Sequence, residues 1–366
     1  MKTKICGAEW RKYAKKILGA CIYRKKAVLL QKIMIVSMKH LYIIGNGFDR
    51  HHKMECGFDN YAEWLKKTNP DIYYKVENAY GIQNEELWRD FEHLLGKLDV
   101  QEHAERIAYD RYPTQKQLEN STDKEFDNLK RWYELSPDEA REEFEDLFED
   151  IRNSFREWVE QLNAPDVACM IPIKKEDSFF VTFNYTDTLE TLYRIAEEKI
   201  LYIHGKAKRG DDLVLGHGLT LEEIRMRNTI EPPEDADTPE KIEAFYRNQG
   251  DVIIDETFDE VCGQLLRMQK PVPELIQRMR RRLSTIEEVE MIHIYGFSFS
   301  DIDLPYLGEI ISMINLKTTH WKVSYYKPDE ETKFRRILCE MGVPDSQIET
   351  NTLEAIKMYS GCKALF

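Results

Sequence analysis

The sequence predicts an α/β fold in which a parallel sheet carries large helical insertions, and three observations predict it. Four short apolar runs have the β-branched and aromatic content of buried strands, and each stops at a glycine or polar cluster: His40–Ile44 before Gly45-Asn46-Gly47-Phe48-Asp49, Phe179–Phe183 before Asn184-Tyr185-Thr186-Asp187, Leu201–Ile203 before His204-Gly205, and Met291–Tyr295 before Gly296-Phe297-Ser298-Phe299-Ser300-Asp301. The runs alternate with helix-like segments, which predicts parallel pairing through right-handed crossovers. Two long stretches, about 85–172 and 219–288, interrupt the alternation with helical patterning.

Taken in order, the first strand passes through Gly45-Asn46-Gly47 into a helix that includes Asp59–Leu65. From Glu85 to Leu162 the chain is acidic and helical in period. Ser136-Pro137-Asp138-Glu139 reads as a capping box with proline at the first helical position, and Phe144, Leu147, Ile151, Phe155, Trp158 and Leu162 then form one apolar stripe. The sheet pattern resumes at Ser178, with a helix expected over Thr188–Lys199, a strand near Ile200–Ile203 and another at Leu213–Leu215 that ends in Gly216-His217-Gly218. The second insertion carries the acidic, proline-bearing Glu231–Asp235 and reads as a lid or flank. A helix near Asp303, a strand over His320–Tyr326 and a helix over Glu330–Glu340 close the pattern.

Residues 38–366 therefore read as one domain with two insertions. Residues 1–37 differ, being rich in lysine and arginine with Glu9 as the sole acid. They lack the uninterrupted apolar core and cleavage site of a signal peptide. The tract is expected to lie upstream of a start at Met34 or Met38, in preference to forming an interfacial helix. The formal net charge of -14 disfavours a general nucleic-acid binder, because phosphate backbones would be repelled. Seven scattered cysteines without a Cys-x-x-Cys pair suit reduced thiols, and no apolar run approaches the roughly 18–20 residues that cross a bilayer. A cytoplasmic setting without a membrane partner is expected. No His-x-x-x-His or paired-cysteine pattern occurs, so no metal is expected.

In an open parallel sheet, ligands bind outside the carboxyl ends of the strands, where distant clusters meet. Gly45-Asn46-Gly47 permits a tight turn and brings backbone amides and a helix N-terminus toward a phosphate, although Arg50 stands where a third glycine would complete Gly-x-Gly-x-x-Gly. Asn184 follows a strand and precedes a helix. Thr186, Asp187 and Thr188 can cap that helix, which leaves Asn184 for a ligand. His204 ends a strand beside Gly205, where an imidazole can move protons near neutral pH. His217 between two glycines is a second candidate, whereas His293 inside a strand reads as structural. Ser298, Ser300, Asp301 and Asp303 offer groups for a ribose diol or a helix cap. Glu92, on a helix that otherwise packs, can reach the site, and the run Arg278–Arg282 reads as a solvated helix face.

At these residues the chain resembles the AbiH family of bacterial abortive-infection proteins. The resemblance rests on Leu41–Asp49, Phe183-Asn184-Tyr185-Thr186, Ile203-His204-Gly205 and Gly296–Asp301, which stand in the family's order over residues 38–366. Lys53 stands where the pattern has glycine after the histidine pair. The family in turn is similar to the sirtuin-like NAD-binding superfamily, which implies a Rossmann-like sheet. It also implies Asn184 and His204 as catalytic residues, with Gly45, Asn46, Gly47, Phe48 and Ser298 around the dinucleotide. Asp49, Thr186, Asp187, Gly205, His217, Gly296 and Asp301 complete the expected nucleotide-binding set. The sirtuin zinc module has no counterpart, so the resemblance implies consumption of NAD without a peptide substrate. The expected function is an anti-phage effector that hydrolyses NAD at the nicotinamide N-glycosidic bond. The alternatives are a nucleotide-binding sensor without turnover and a nuclease built on the arginine run. An unknown phage trigger and a homo-oligomeric copy of the chain are the remaining partners considered.

Overall fold

The computed structural model describes residues 38–82, 85–228, 251–284 and 289–356, together with 238 and 241. The basic tract 1–37 and the acidic stretch Glu231–Asp235 lie outside them. Six strands, β1 (His40–Ile44), β2 (Ser178–Thr182), β3 (Ile200–Tyr202), β4 (Met291–Tyr295), β5 (His320–Tyr325) and β6 (Ile348–Thr352), form one sheet in the order β3-β2-β1-β4-β5-β6. Every neighbouring pair is parallel, with His40 facing both Ser178 and Met291. This is the strand order of the doubly wound dinucleotide-binding fold, whose switch point lies between β1 and β4.

The central strands are nearly all apolar because both faces are covered. Leu41, Ile43, Phe179, Val181, Ile292 and Ile294 share one face with residues of helices Val272–Leu283, Leu304–Met313 and Pro328–Glu340. Tyr42, Ile44, Phe180, Tyr202 and Tyr295 share the other with Phe48, Leu189 and Tyr193.

A third core is built mainly from helices. Tyr61, Trp88, Phe91, Phe144, Phe155 and Trp158 of the first insertion pack with Val261, Cys262, Leu265 and Met268 of the second. Helix Val252–Leu266 lies against Val100–Arg111 and Ser136–Glu160, so two segments far apart in sequence build one helical body. This body draws on helices from Phe58 onward, earlier than the residue 85 boundary read from acidity, whereas Val272–Leu283 of the second insertion joins the sheet.

Three local expectations are corrected, and one strand goes unannounced by the pattern. Ser136 is not an N-cap: helix Asp123–Glu134 runs directly into the next one through Leu135, the Ser136 hydroxyl donates to the Tyr133 carbonyl at 2.7 Å, and Glu139 pairs with Arg111. The helix after β2 ends at Thr191, because the chain reverses through Arg194 at φ 56° and places Tyr193 and Ile195 in the core. Residues 213–218 add no strand; Val214 N donates to His204 O at 2.9 Å, and His217 forms a lone bridge with Gln269. Conversely, β6 is a strand that the pattern does not announce, since its sequence Ile-Glu-Thr-Asn-Thr is polar and lies at the sheet edge.

Candidate functional site

At the switch point the loops after β1 and β4 meet backbone to backbone. Gly45 N donates to Tyr295 O at 3.0 Å and Gly47 N to Gly296 O at 2.8 Å. A Cβ on Gly296, whose φ is +65°, would fall 1.9 Å from Phe48 N, and one on Gly45 would fall 2.6 Å from Gly296 O. The glycines are therefore required by close loop packing. A backbone N–H has one proton to give, so the expectation that the Gly45 and Gly47 amides cradle a pyrophosphate is corrected. Asn46 is likewise engaged, its amide donating to Cys56 O at 2.9 Å while Cys56 Sγ donates to its Oδ1. Phe48 is fully buried between His52 and Tyr193.

Around these loops lie buried polar atoms that find no hydrogen-bond partner among the described residues: Asp49 Oδ1, Asn184 Oδ1, His204 Nε2, Asp303 Oδ1 and Tyr306 Oη. Native interiors leave few such atoms, so their concentration at strand ends marks a place where a polar ligand would complete the bonding. Asn184 and His204 extend the register of the paired strands β2 and β3, as Ile203 N donates to Thr182 O at 2.9 Å. Both are enclosed, at 5% and 3% exposure.

On one side, Asp49 is wholly buried and burial pushes its carboxyl up to about 6, against hydrogen bonding from Thr186, Thr188 and Asn184. Its Oδ2 accepts the Thr186 hydroxyl. Thr186 and Asp187 line a cleft of about 220 Å³ whose walls include Met54, Val159, Pro165 and Lys208; the Lys208 ammonium pairs with Asp187 at 3.0 Å.

On the other side, the His204 ring lies among Phe183, Tyr185 and Tyr306, with centroids 5.5, 5.8 and 6.4 Å away. Burial drives its pKa well below the usual value, the Lys270 ammonium and the Arg278 guanidinium push the same way, and a hydrogen bond with the Phe183 backbone opposes them. Burial thus favours the neutral imidazole, and its Nε2 has no hydrogen-bond partner among the described residues.

A sequence model of the family described as Bacteriophage abortive infection AbiH matches residues 41–325. The chain belongs to the AbiH family. No curated protein and no solved structure matches it. Its family assigns this AbiH protein a role in phage abortive infection.

Other residues of the expected site are distributed differently in this AbiH protein. His217 has both ring nitrogens engaged, Nδ1 accepting from Leu219 N at 3.1 Å and Nε2 donating to Leu265 O at 3.0 Å, so it is a structural histidine. Its flanking glycine serves close approach, since a Cβ on Gly216 would fall 1.8 Å from Met268 O. Gly205, at φ +85°, turns the chain after His204. Ser298 and Asp301 are exposed beyond β4, while Ser300 Oγ donates to Asp303 Oδ2 at 3.0 Å. His293 stacks on Tyr42 at 4.1 Å and bonds His40 and Tyr295, a structural role as expected. The arginine run is an exposed helix face, as expected, and several of its members also have protein partners: Arg278 donates to Tyr202 O and Ile203 O, Arg280 pairs with Glu309, and Arg282 donates to Glu198 O.

Among the described residues no group of three His, Cys, Asp or Glu could hold a metal ion, and no helix is long and apolar enough to cross a membrane. Lys270 and Tyr306 carry no signal in the sequence. Neither stands in a motif, and a lone lysine before Pro271 gives no sign of burial.

Proposed function

We propose that this AbiH protein aborts phage infection by hydrolysing NAD at the nicotinamide N-glycosidic bond. The observation that carries the reading is the set of buried, unpaired groups at the carboxyl ends of a 3-2-1-4-5-6 parallel sheet, with Asn184 and His204 on adjacent strand ends. The resemblance of these two residues to the sirtuin-like pair supports it further.

Departure of nicotinamide builds oxocarbenium character at the ribose carbon, and water then attacks that carbon. In this reading the Asn184 carboxamide holds the water or the ribose hydroxyl, and neutral His204 accepts the proton that the attack releases. A proton acceptor must be unprotonated beforehand, which burial and the neighbouring cations favour at His204. Asp49, close to Asn184, offers a carboxylate oxygen to a hydroxyl of the substrate. Because Asn184 and His204 are enclosed, the substrate enters by displacement of the packed side chains over the strand ends.

That enclosure also favours a second reading, a nucleotide-binding sensor that senses infection without turnover. The nuclease reading has no specific support, since the arginine run lies on an exposed helix face where Arg278, Arg280 and Arg282 already have protein partners. The test is cellular NAD during phage infection. With the parent protein it falls; with Asn184→Ala it stays at the uninfected level. NAD that remains constant in both favours the sensor.

A further inference from the structure

One helical hairpin of the first insertion buries almost nothing. Helix Gln115–Asn120 has no buried residue, and helix Asp123–Glu134 buries only Tyr133. Both starts are nevertheless well specified, since the Gln117 and Glu125 side chains accept from the backbone N–H groups of Thr114 and Thr122 at 2.9 and 2.8 Å. Helices this short are marginal in water alone and draw most of their stability from packing an apolar face. Here that face is uncovered. Phe126, Leu129 and Trp132 follow one another at three-residue steps, and Phe126 is 46% and Trp132 53% exposed, with Leu129 half-buried between them.

The end of helix Val100–Arg111 widens the patch. The Arg111 guanidinium lies 4.2 Å over the Trp132 ring, and the exposed Tyr112 meets the Tyr133 ring edge to face at 5.2 Å. Tyr109, one turn earlier, is exposed as well. The hairpin is held in place by the Tyr133 hydroxyl, which donates to Asp251 of the second insertion at 2.7 Å. Aromatic residues gathered on an exposed face are the usual anchors of a protein interface.

The charges on this face select its partner. The following helix, Ser136–Glu160, carries ten acidic and three basic residues, so a basic partner would be drawn there instead. Asp123–Glu134 carries four acidic and three basic residues and is almost balanced. Copies of a chain with a net charge of -14 repel one another, and such a balanced face is where they approach most readily. The order of residues along the helix is also self-complementary. Two copies crossing antiparallel at Leu129 bring Phe126 level with Trp132 of the second copy, Asp127 level with Arg131, and Lys124 level with Glu134. No two like charges come level, because Asp123, Glu125 and Lys130 meet Leu135, Tyr133 and Asn128. A two-fold axis makes each match twice.

We infer that the exposed face of helix Asp123–Glu134 docks a second copy of this chain, the two helices packing antiparallel about Leu129. The inference goes beyond the proposed NAD chemistry and does not depend on it.

Sedimentation velocity of the full-length protein across the micromolar range tests it. The parent should form a dimer of twice the 43.4 kDa chain mass. Phe126→Asp should raise the dissociation constant by about tenfold or more. Asp127→Arg alone and Arg131→Asp alone each set like charges level and should raise it by about fivefold or more. Mixing those two variants restores both charge matches, so the mixture should dimerise more tightly than either variant alone. Both positions are exposed, and circular dichroism checks that each variant is folded. A parent that is monomeric throughout, a dimer that Phe126→Asp leaves intact, or a mixture no tighter than its parts each overturns the inference. Should Phe126→Asp fail to fold, the charge variants and their mixture decide in the same way.

Discussion

The Thr186 hydroxyl donates to the Asp49 carboxylate, tying the loop after β2 to the loop after β1 across 137 residues of chain. The bond runs from the wall of a cleft into the interior, where Asp49 lies wholly buried beside Asn184. Its carboxyl is raised from 3.8 to about 6, chiefly by desolvation. A raised acid favours the folded state fully below its unfolded pKa, and that advantage is lost as pH rises through the folded value. Between pH 3.8 and 6 Asp49 therefore removes about 3 kcal/mol of stability, since each pH unit between the two values is worth about 1.36 kcal/mol. The unfolding free energy of Asp49→Asn relative to the parent should rise by about that amount between pH 3.5 and pH 7. A difference independent of pH would refute the assignment.

His293 titrates in the opposite sense. Burial lowers its pKa to about 3, so the unfolded chain takes up a proton at pH values where the folded protein does not. Its stabilising contribution is present above 6.5 and is lost as pH falls toward 3, at about 1.4 kcal/mol per pH unit. Acid unfolding of His293→Gln, followed by tryptophan fluorescence, should show a shallower loss of stability below pH 6.5 than the parent. Equal slopes would contradict this.

Glycine replacements separate close approach from mere flexibility. Gly296→Ala puts a Cβ into the Phe48 amide at positive φ and should cost more than about 2 kcal/mol, because neither backbone can yield. Gly263→Ala, in the middle of helix Val252–Leu266 with nothing within 4 Å, should stabilise by about 0.5–1 kcal/mol through helix propensity. Denaturant unfolding of both variants checks the contrast, and a tolerated Gly296→Ala would remove the structural explanation of the switch-point loops.

Lys53 sits at a φ of 60°, in the left-handed region that glycine takes up without strain. Its salt bridge with Asp166 is exposed and weak. Lys53→Gly should leave the urea midpoint unchanged or raise it, because glycine takes up a positive φ without strain. A lowered midpoint would show that the side chain matters more than the backbone.

The sheet was legible because β1, β2 and β4 are apolar runs buried on both faces, and burial of that kind leaves its mark residue by residue. The polar β6 left none. Asn184 and His204 could be singled out because polar residues directly after such runs have to lie at the sheet's rim. Lys270 could not, since its enclosure arises only when two insertions separated by the middle of the chain pack together. Gly216-His217-Gly218 misled for a related reason: glycines around a histidine look like room for a ligand, but here they let one backbone segment approach another.

The most direct measurement is nicotinamide release from NAD by purified protein. The proposed chemistry predicts release by the parent and a fall of roughly a hundredfold or more in both Asn184→Ala and His204→Ala, with each variant still folded. Undiminished release by the two variants, or intact NAD after incubation with the parent, would contradict it.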